Sequence, residues 1–285
     1  MNDGDAESFF NSCKCGDLSQ VKELITKKPE LIKETHPEDG NTPLHVACID
    51  ADQKREIIEL LLAHKADPNV PNNDGNTPLC VLCDCGTTDL KIIDLLLSAG
   101  ADINVSNSKE GYTPLMFATQ KYKNYDVVHY LVGAGASPHP KSHMGDTALH
   151  LACRVNDENT IWLLIEEDAN PNEKNNAGNT PFHELCKGGN TKAFEILMDA
   201  NADPNLTNED GKTPLDIAKA HQQSHLVAWL RNHEFGRSLS VPLQVRRKRQ
   251  NNNNNHSSGV VMMVGMVAVA VAAAVSYYFK FKRDK

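Results

Sequence analysis

The cysteines of this chain include two groups with the spacing of metal ligands or redox partners. Eight cysteines occur in 285 residues; Cys80, Cys83 and Cys85 form one group, and Cys13 and Cys15 form the other. Thiolates at such short intervals bind zinc or exchange disulfides. No clustered histidines complete a ligand set beside them. Whether these thiols bind metal, take part in redox chemistry or only pack in the core therefore depends on the secondary-structure elements that position them.

Other signatures of catalysis do not stand out in the sequence. We find no base paired with a nucleophile, no glycine-rich phosphate loop and no pair of carboxylates in a recognisable frame. We therefore expect no catalytic residues, no cofactor and no metal, and we expect that the protein is not an enzyme.

The chain repeats one motif at intervals of 33 to 36 residues. Thr-Pro-Leu-His or a variant of it begins at Thr42, Thr77, Thr113, Thr147, Thr180 and Thr213, and a glycine lies two residues before every one of these threonines. Glycine favours a tight turn, and proline after the threonine suits the first turn of a helix. Paired apolar residues one turn apart then predict a second helix in each repeat.

A tight turn, two antiparallel helices and a period near 33 residues resemble the ankyrin repeat. The resemblance covers about four-fifths of the chain. It implies an all-α solenoid of about seven helix–turn–helix units over residues 1–235. Residues 7–25 match a first unit without the motif, and the unit that begins at Thr213 carries polar residues where a buried face is usual. Both ends therefore have the character of caps.

The repeat register favours a structural role for the cysteines. Counting six residues on from each threonine position reaches a cysteine in five units: Cys13, Cys48, Cys83, Cys153 and Cys186. That position packs one helix pair against the next, and a free cysteine fills it well. Cys80 takes the place of the motif histidine, so only Cys15 and Cys85 should be exposed. The resemblance also implies hydrogen bonds to neighbouring backbone from the remaining motif histidines, His45, His150 and His183.

A binding face follows from the same resemblance, which implies that partners contact the turn tips and the exposed residues of each first helix. Early positions on this face are acidic and middle ones basic; the acidic set is Asp39, Asp50, Asp74 and Asp84, and the basic set is Lys121, Arg154 and Lys187. Tyr112 is the expected anchor, since aromatic side chains dominate interface energetics. Scattered solvated charge is the alternative explanation. We expect a cytosolic protein partner on the concave face.

The last part of the chain differs in composition from the repeats. Residues 236–258 lack periodicity, include a basic cluster at 246–249 and an asparagine run, and predict a flexible linker. Residues 259–279 contain no charge, and a helix of that length is about 31 Å long, which matches the hydrocarbon core. A short basic tail, 280–285, follows. Together these features predict one C-terminal transmembrane helix, similar to the tail-anchored class of proteins.

Charge and the N-terminal sequence bear on partners and location. The net charge is −8, but the region from 241 to 285 is basic, so the repeats are strongly acidic and do not suit a nucleic-acid partner. The first residues lack the pattern of a secretory signal. We expect a single-pass membrane protein with its repeats in the cytosol, at the mitochondrial outer membrane or the endoplasmic reticulum.

Two further interpretations concern the linker. The basic cluster 246–249 could instead act as an import signal of a soluble nuclear or cytosolic regulator that masks its partner. The segment from Arg237 to Pro242 resembles the Arg-Ser-x-phosphoSer-x-Pro pattern bound by 14-3-3 proteins. It predicts a phosphorylation site at Ser240 and a 14-3-3 partner there.

Overall fold

The computed structural model describes residues 3–49, 55–121 and 124–234, all of which belong to one compact unit, Met1–Gly236. Asp50, the linker 236–258 with Ser240 and the basic cluster 246–249, the predicted membrane segment 259–279 and the tail 280–285 lie outside these residues. Within them, no helix is long and apolar enough to cross a membrane.

The described residues form fourteen α-helices arranged as seven consecutive pairs, which we number units 1 to 7, and they contain no strand. The first helices are α1 (Asp3–Cys15), α3 (Pro43–Cys48), α5 (Pro78–Cys85), α7 (Pro114–Gln120), α9 (Ala148–Val155), α11 (Pro181–Leu185) and α13 (Pro214–Ala220). The second helices are α2 (Leu18–Lys27), α4 (Arg55–Ala63), α6 (Leu90–Ser98), α8 (Tyr125–Gly133), α10 (Glu158–Glu166), α12 (Thr191–Asp199) and α14 (Ser224–Glu234). A 3-10 turn spans Pro29–Lys33. The predicted all-α repeat solenoid is confirmed.

The motif starts each first helix because its threonine is the N-cap residue. Thr42 has an extended backbone, with φ −81° and ψ 166°, and its side chain accepts a hydrogen bond from the His45 amide. Pro43 follows at the first helical position, where a missing N–H costs nothing. Side-chain caps also start several second helices; Asp89, for example, accepts from the Lys91 amide.

The apolar stripes of the second helices are buried, as their spacing predicts. Ile57, Ile58 and Leu61 of α4 are at most 2 % exposed. First helices of neighbouring units pack on one another, as α9 does on α11 and α5 on α7. The core therefore runs along the stack, and burying such apolar surface is the main stabilising contribution to it.

The turn tips of successive units lie close together. Gly75 has φ +79°, and a Cβ atom there would lie 2.3 Å from the backbone nitrogen of Ser108 in the next tip. Backbone bonds join the tips: the Lys109 amide donates to the Asp74 carbonyl at 3.1 Å. Glycine at this position permits both the backbone conformation and the approach.

The same inter-unit loops also carry what we call loop rungs, which are asparagine bridges between the starts of the loops that follow successive units. Asn69 donates to the Gly100 carbonyl and accepts from the Asp102 amide, both at 2.8 Å. Asn104 and Asn172 bridge to their next loops in the same way. In the loop after unit 4 the equivalent residue is His139, and among the described residues it makes no such bridge.

Candidate protein-binding face

The motif histidines bond to the backbone as the sequence predicts. The Nδ1 atom of His45 accepts from the Thr42 amide at 3.1 Å, and its Nε2 atom lies 2.8 Å from the Asn76 carbonyl oxygen of unit 3. Because an amide can only donate, Nδ1 is unprotonated and Nε2–H donates to that carbonyl. Burial of the ring lowers the pKa of His45, which keeps the imidazole neutral.

The same link recurs at two later junctions and is replaced at two central ones. His150 reaches the Asn179 carbonyl and His183 reaches the Lys212 carbonyl, each at 3.0 Å. Units 3 and 4 carry Cys80 and Met116 at the equivalent position. Neither side chain can reproduce the two-ended bridge of an imidazole, so the junctions between units 3 and 4 and between units 4 and 5 lack it.

The register prediction for the cysteines is confirmed. Six of the eight are buried, and the exposed ones are Cys15 and Cys85. Burial raises the pKa of the Cys83 and Cys153 thiols well above the ordinary value, so these thiols are poor nucleophiles. In the described residues, no group of three or more His, Cys, Asp or Glu side chains is arranged to hold a metal ion.

The predicted acidic residues of the face lie in local contacts. Asp39 accepts from the Asn41 side chain at 2.7 Å. Asp74 pairs with Lys109 at 3.1 Å, and both side chains are about half exposed. Asp84 pairs with the predicted basic residue Lys121 of the next unit at 3.0 Å. Asp74 and Asp84 therefore pair with cations of the next unit, whereas Asp39 is bound by a neighbouring amide.

The predicted basic residues Arg154 and Lys187 share a network with buried acids. Arg154 donates from Nη2 to the Asp146 carboxylate at 2.9 Å and from Nε to the Glu184 carboxylate at 3.2 Å. Lys187 donates to the same Glu184 oxygen at 2.7 Å, and the Asn179 amide donates to the other at 3.2 Å. The network joins units 5 and 6 across their first helices.

Exposure within this network is unequal. The side chains of Arg154 and Lys187 are 40 % and 43 % exposed, whereas those of Asp146 and Glu184 are 6 % and 2 % exposed. Burial acts to raise the pKa of the Glu184 carboxyl, but the hydrogen bonds from Lys187 and Arg154 outweigh it and hold that pKa below its ordinary value. The carboxylate is therefore ionised beneath two exposed cations.

Tyr112, the predicted anchor, is partly exposed at the tip of unit 4. Its ring meets the buried Phe117 ring edge-on, with centroids 5.4 Å apart. Burial, followed by the charge of Asp146, raises the pKa of its phenol. At the neighbouring tip of unit 5, Met144 is 69 % exposed. Two large side chains thus stand beside the charged network.

Sequence reasoning missed Glu184 as a member of the face, although a signal was present. Glu184 is the fourth residue after the unit's threonine, and the same position holds Val46, Val81, Phe117, Leu151 and Ile217 in other units. A lone acid in an apolar row is such a signal. Asp146 was recognisable as a tip residue, but not as buried.

Comparison with known proteins agrees with this architecture. The family model for ankyrin repeats, three copies long, matches in overlapping stretches at residues 9–107, 53–142, 87–175, 115–208 and 149–242. A putative E3 ubiquitin-protein ligase, XBAT31 of Arabidopsis thaliana, is 34 % identical over 64 residues, which are 22 % of this chain and 14 % of that protein. Because the family model spans most of the sequence, the chain belongs to the ankyrin-repeat family.

Proposed function

We propose that this protein is a membrane-tethered adaptor that binds a cytosolic protein through the tips and first helices of its ankyrin repeats. Ankyrin repeats typically bind proteins, and the observation that carries the proposal is the row of partly exposed side chains on units 4 to 6. Tyr112 and Met144 offer apolar contact area there, and Arg154 and Lys187 offer hydrogen-bond donors. This combination suits binding rather than catalysis.

The membrane part of the proposal rests on residues 259–279, which are uncharged and long enough to span the hydrocarbon core as a helix. We propose the mitochondrial outer membrane or the endoplasmic reticulum as the site, with the repeats in the cytosol. Alkaline carbonate extraction of membranes tests this. The full chain should stay in the pellet and a chain without residues 256–285 should be released; release of the full chain would contradict tethering.

The partner-binding part is tested by proximity labelling in cells. Arg154→Gln and Lys187→Gln together should deplete the labelled partner, because both side chains lie on the proposed face. Lys192→Gln is the matched control: its side chain is 76 % exposed on the second helix α12 and pairs with Glu158. A partner lost equally in the control and in the double variant would place the binding surface elsewhere.

A second candidate shares the fold and differs in location. The basic cluster 246–249 favours a soluble nuclear or cytosolic regulator that masks its partner, with this cluster as the import signal. Imaging separates the two: replacing the cluster by glutamine abolishes nuclear accumulation in the second candidate only.

We also propose that phosphorylated Ser240 is a docking site for 14-3-3 proteins. Arg237 lies three residues before it and Pro242 two residues after it, as in the pattern given above. A phosphate would add about −1.5 to −2 charges for an arginine cluster to bind. A peptide of residues 232–248 should bind a 14-3-3 protein when phosphorylated at Ser240; equal binding of the unmodified peptide would end the idea.

A further inference from the structure

The buried carboxylate of Glu184 is not needed to build an ankyrin unit in this chain. At its position in the repeat, units 2, 3, 4, 5 and 7 have an apolar side chain: Val46, Val81, Phe117, Leu151 and Ile217. A carboxylate that is 2 % exposed costs desolvation energy, which only its hydrogen-bond partners offset. The fold accepts an apolar side chain at this position, so the presence of Glu184 there indicates a role other than packing.

That role is visible in what Glu184 contacts. Together with Asp146 it lies beneath Arg154 and Lys187 and engages both cations at 2.7 to 3.2 Å. The anions are buried and the cations are not, so an approaching group meets Arg154 and Lys187 first. The pair Lys121–Asp84 on the same face is different, because its members are 41 % and 48 % exposed and solvent reaches both charges.

The two cations keep donors for a further acceptor. A guanidinium has five N–H groups, and in the described residues Arg154 directs Nε and one Nη2 hydrogen at the buried acids. Lys187 directs one of its three at Glu184. Both side chains are already held in one orientation, so a ligand loses little additional side-chain entropy on binding. An incoming carboxylate would be nearer to the cations than to the anions beneath them, and the interaction is therefore attractive.

We propose that Arg154 and Lys187 form a two-cation site for the side-chain carboxylate of an aspartate or glutamate in an extended segment of the partner, and that Glu184 and Asp146 are its positioning residues. Tyr112 and Phe117, whose rings pack together, both belong to unit 4, the unit before Arg154. The partly exposed Tyr112 contacts an apolar residue of the same partner segment. This inference rests on the proposed function and names the chemistry of its partner.

The test uses the full chain in detergent and a library of random octapeptides that are acetylated and amidated, so that every carboxylate is on a side chain. For the best binders, each acid is replaced by its amide and the dissociation constant is measured. One acid should matter in the wild type: its replacement weakens binding about tenfold, as expected for a lost charge-assisted hydrogen bond. In Arg154→Gln/Lys187→Gln the same peptide change should have less than about a twofold effect.

Lys121→Gln is the matched control and should keep the full tenfold effect. If the double variant unfolds, Lys187→Gln alone replaces it. In that variant Arg154 keeps its hydrogen bond to Glu184, and the acid-to-amide effect should be smaller than in the wild type. A positioning role for Glu184 is read from Glu184→Gln, and one for Asp146 from Asp146→Asn; in each, the acid-to-amide effect should shrink while the binding of acid-free peptides stays unchanged. An undiminished acid-to-amide effect in either variant overturns the positioning role of that residue.

The remaining outcomes separate this inference from the proposed function. Binders without an acid, or an acid effect that persists in the double variant, overturn the two-cation site and leave the adaptor function standing. A library that yields no binder also overturns the site, and the adaptor function then depends on the proximity-labelling result alone. A second library of peptides with free C-terminal carboxylates tests the kind of carboxylate that is bound. If only the peptides of this second library need Arg154 and Lys187 for binding, the site binds a chain terminus rather than a side-chain carboxylate, and that part of the proposal is overturned.

Discussion

The imidazole link between units should be measurable by exchanging His150 and Met116, which occupy equivalent positions in adjacent units. In His150→Met both ring nitrogens lose their partners: the Thr147 amide and hydroxyl, at 3.2 and 2.9 Å, share the single Nδ1 lone pair, and Nε2 donates to the Asn179 carbonyl at 3.0 Å, so we count one bond at each nitrogen. Each contributes about 1 kcal/mol net, and a buried amide left without a partner costs about 1–3 kcal/mol more. The Asn179 carbonyl keeps its bond from the Asn175 amide, so we add no penalty for it.

The expected loss is therefore about 3–5 kcal/mol in the free energy of unfolding, since the two side chains are close enough in size to leave no large cavity. For a domain of this length that corresponds to a fall in Tm of about 6–20 °C. Met116→His should gain about 1 kcal/mol, because the Asp146 carbonyl then receives the donor that its counterparts already have.

Urea unfolding followed by far-UV circular dichroism measures both changes, at about pH 8 so that the imidazoles are neutral. Repeat proteins can unfold in more than one step, so the slope of the transition must match the wild type before midpoints are compared. A loss of less than about 1 kcal/mol in His150→Met would refute the idea that this bond holds neighbouring units together.

Three other predictions follow from the described contacts. Burial lowers the pKa values of His45, His150 and His183, so below about pH 6.5 the unfolded chain binds more protons than the folded one. As the pH is lowered through this range, the free energy of unfolding should fall by up to about 1.4 kcal/mol per histidine per pH unit. A urea midpoint that stays constant down to about pH 5 would contradict this. Glu184→Leu removes one partner of the network, but the cations that it leaves, Arg154 and Lys187, are exposed enough to be hydrated, so stability should fall by less than the loss of about 3–5 kcal/mol that is typical of a charge left buried; a thermal melt showing a loss of that size would mean that the network stabilises the fold. Thiol labelling followed by mass spectrometry should modify Cys15 and Cys85 within minutes and the six buried cysteines only on unfolding, and early modification of Cys83 would show local opening.

The repeat register made much of this structure predictable from the sequence. A threonine position and a fixed count were enough to place Cys13 and Cys186 inside and Cys85 outside, because every unit repeats the same packing environment. The hydrogen bonds of the motif histidines were implied by the resemblance to the ankyrin repeat, and the structure confirms them.

The charged face was less predictable, for a physical reason. The sequence places its charges at exposed positions and gives them no partners, yet Lys121 pairs with Asp84 of the unit before it and Arg154 with Glu184 of the unit after it. Partners about thirty residues apart meet only when two units stack, and side-chain orientation then decides which carboxylate is covered. Periodicity carries no information about that choice, and the use of the acidic and basic sets in partner binding stays a prediction.

The missing loop rung at His139 has a mechanical consequence. The junction between units 4 and 5 also has Met116 in place of a motif histidine, so within the described residues it lacks both kinds of bridge. The junction between units 3 and 4 keeps its loop rung, and the junction between units 5 and 6 keeps both bridges. When the stack is pulled from its two ends, this junction should separate first, while units 1 to 4 and units 5 to 7 each stay folded. In the membrane-tethered adaptor proposed above, this junction would set the force at which a partner bound to both Tyr112 and Arg154, which lie on opposite sides of it, is released.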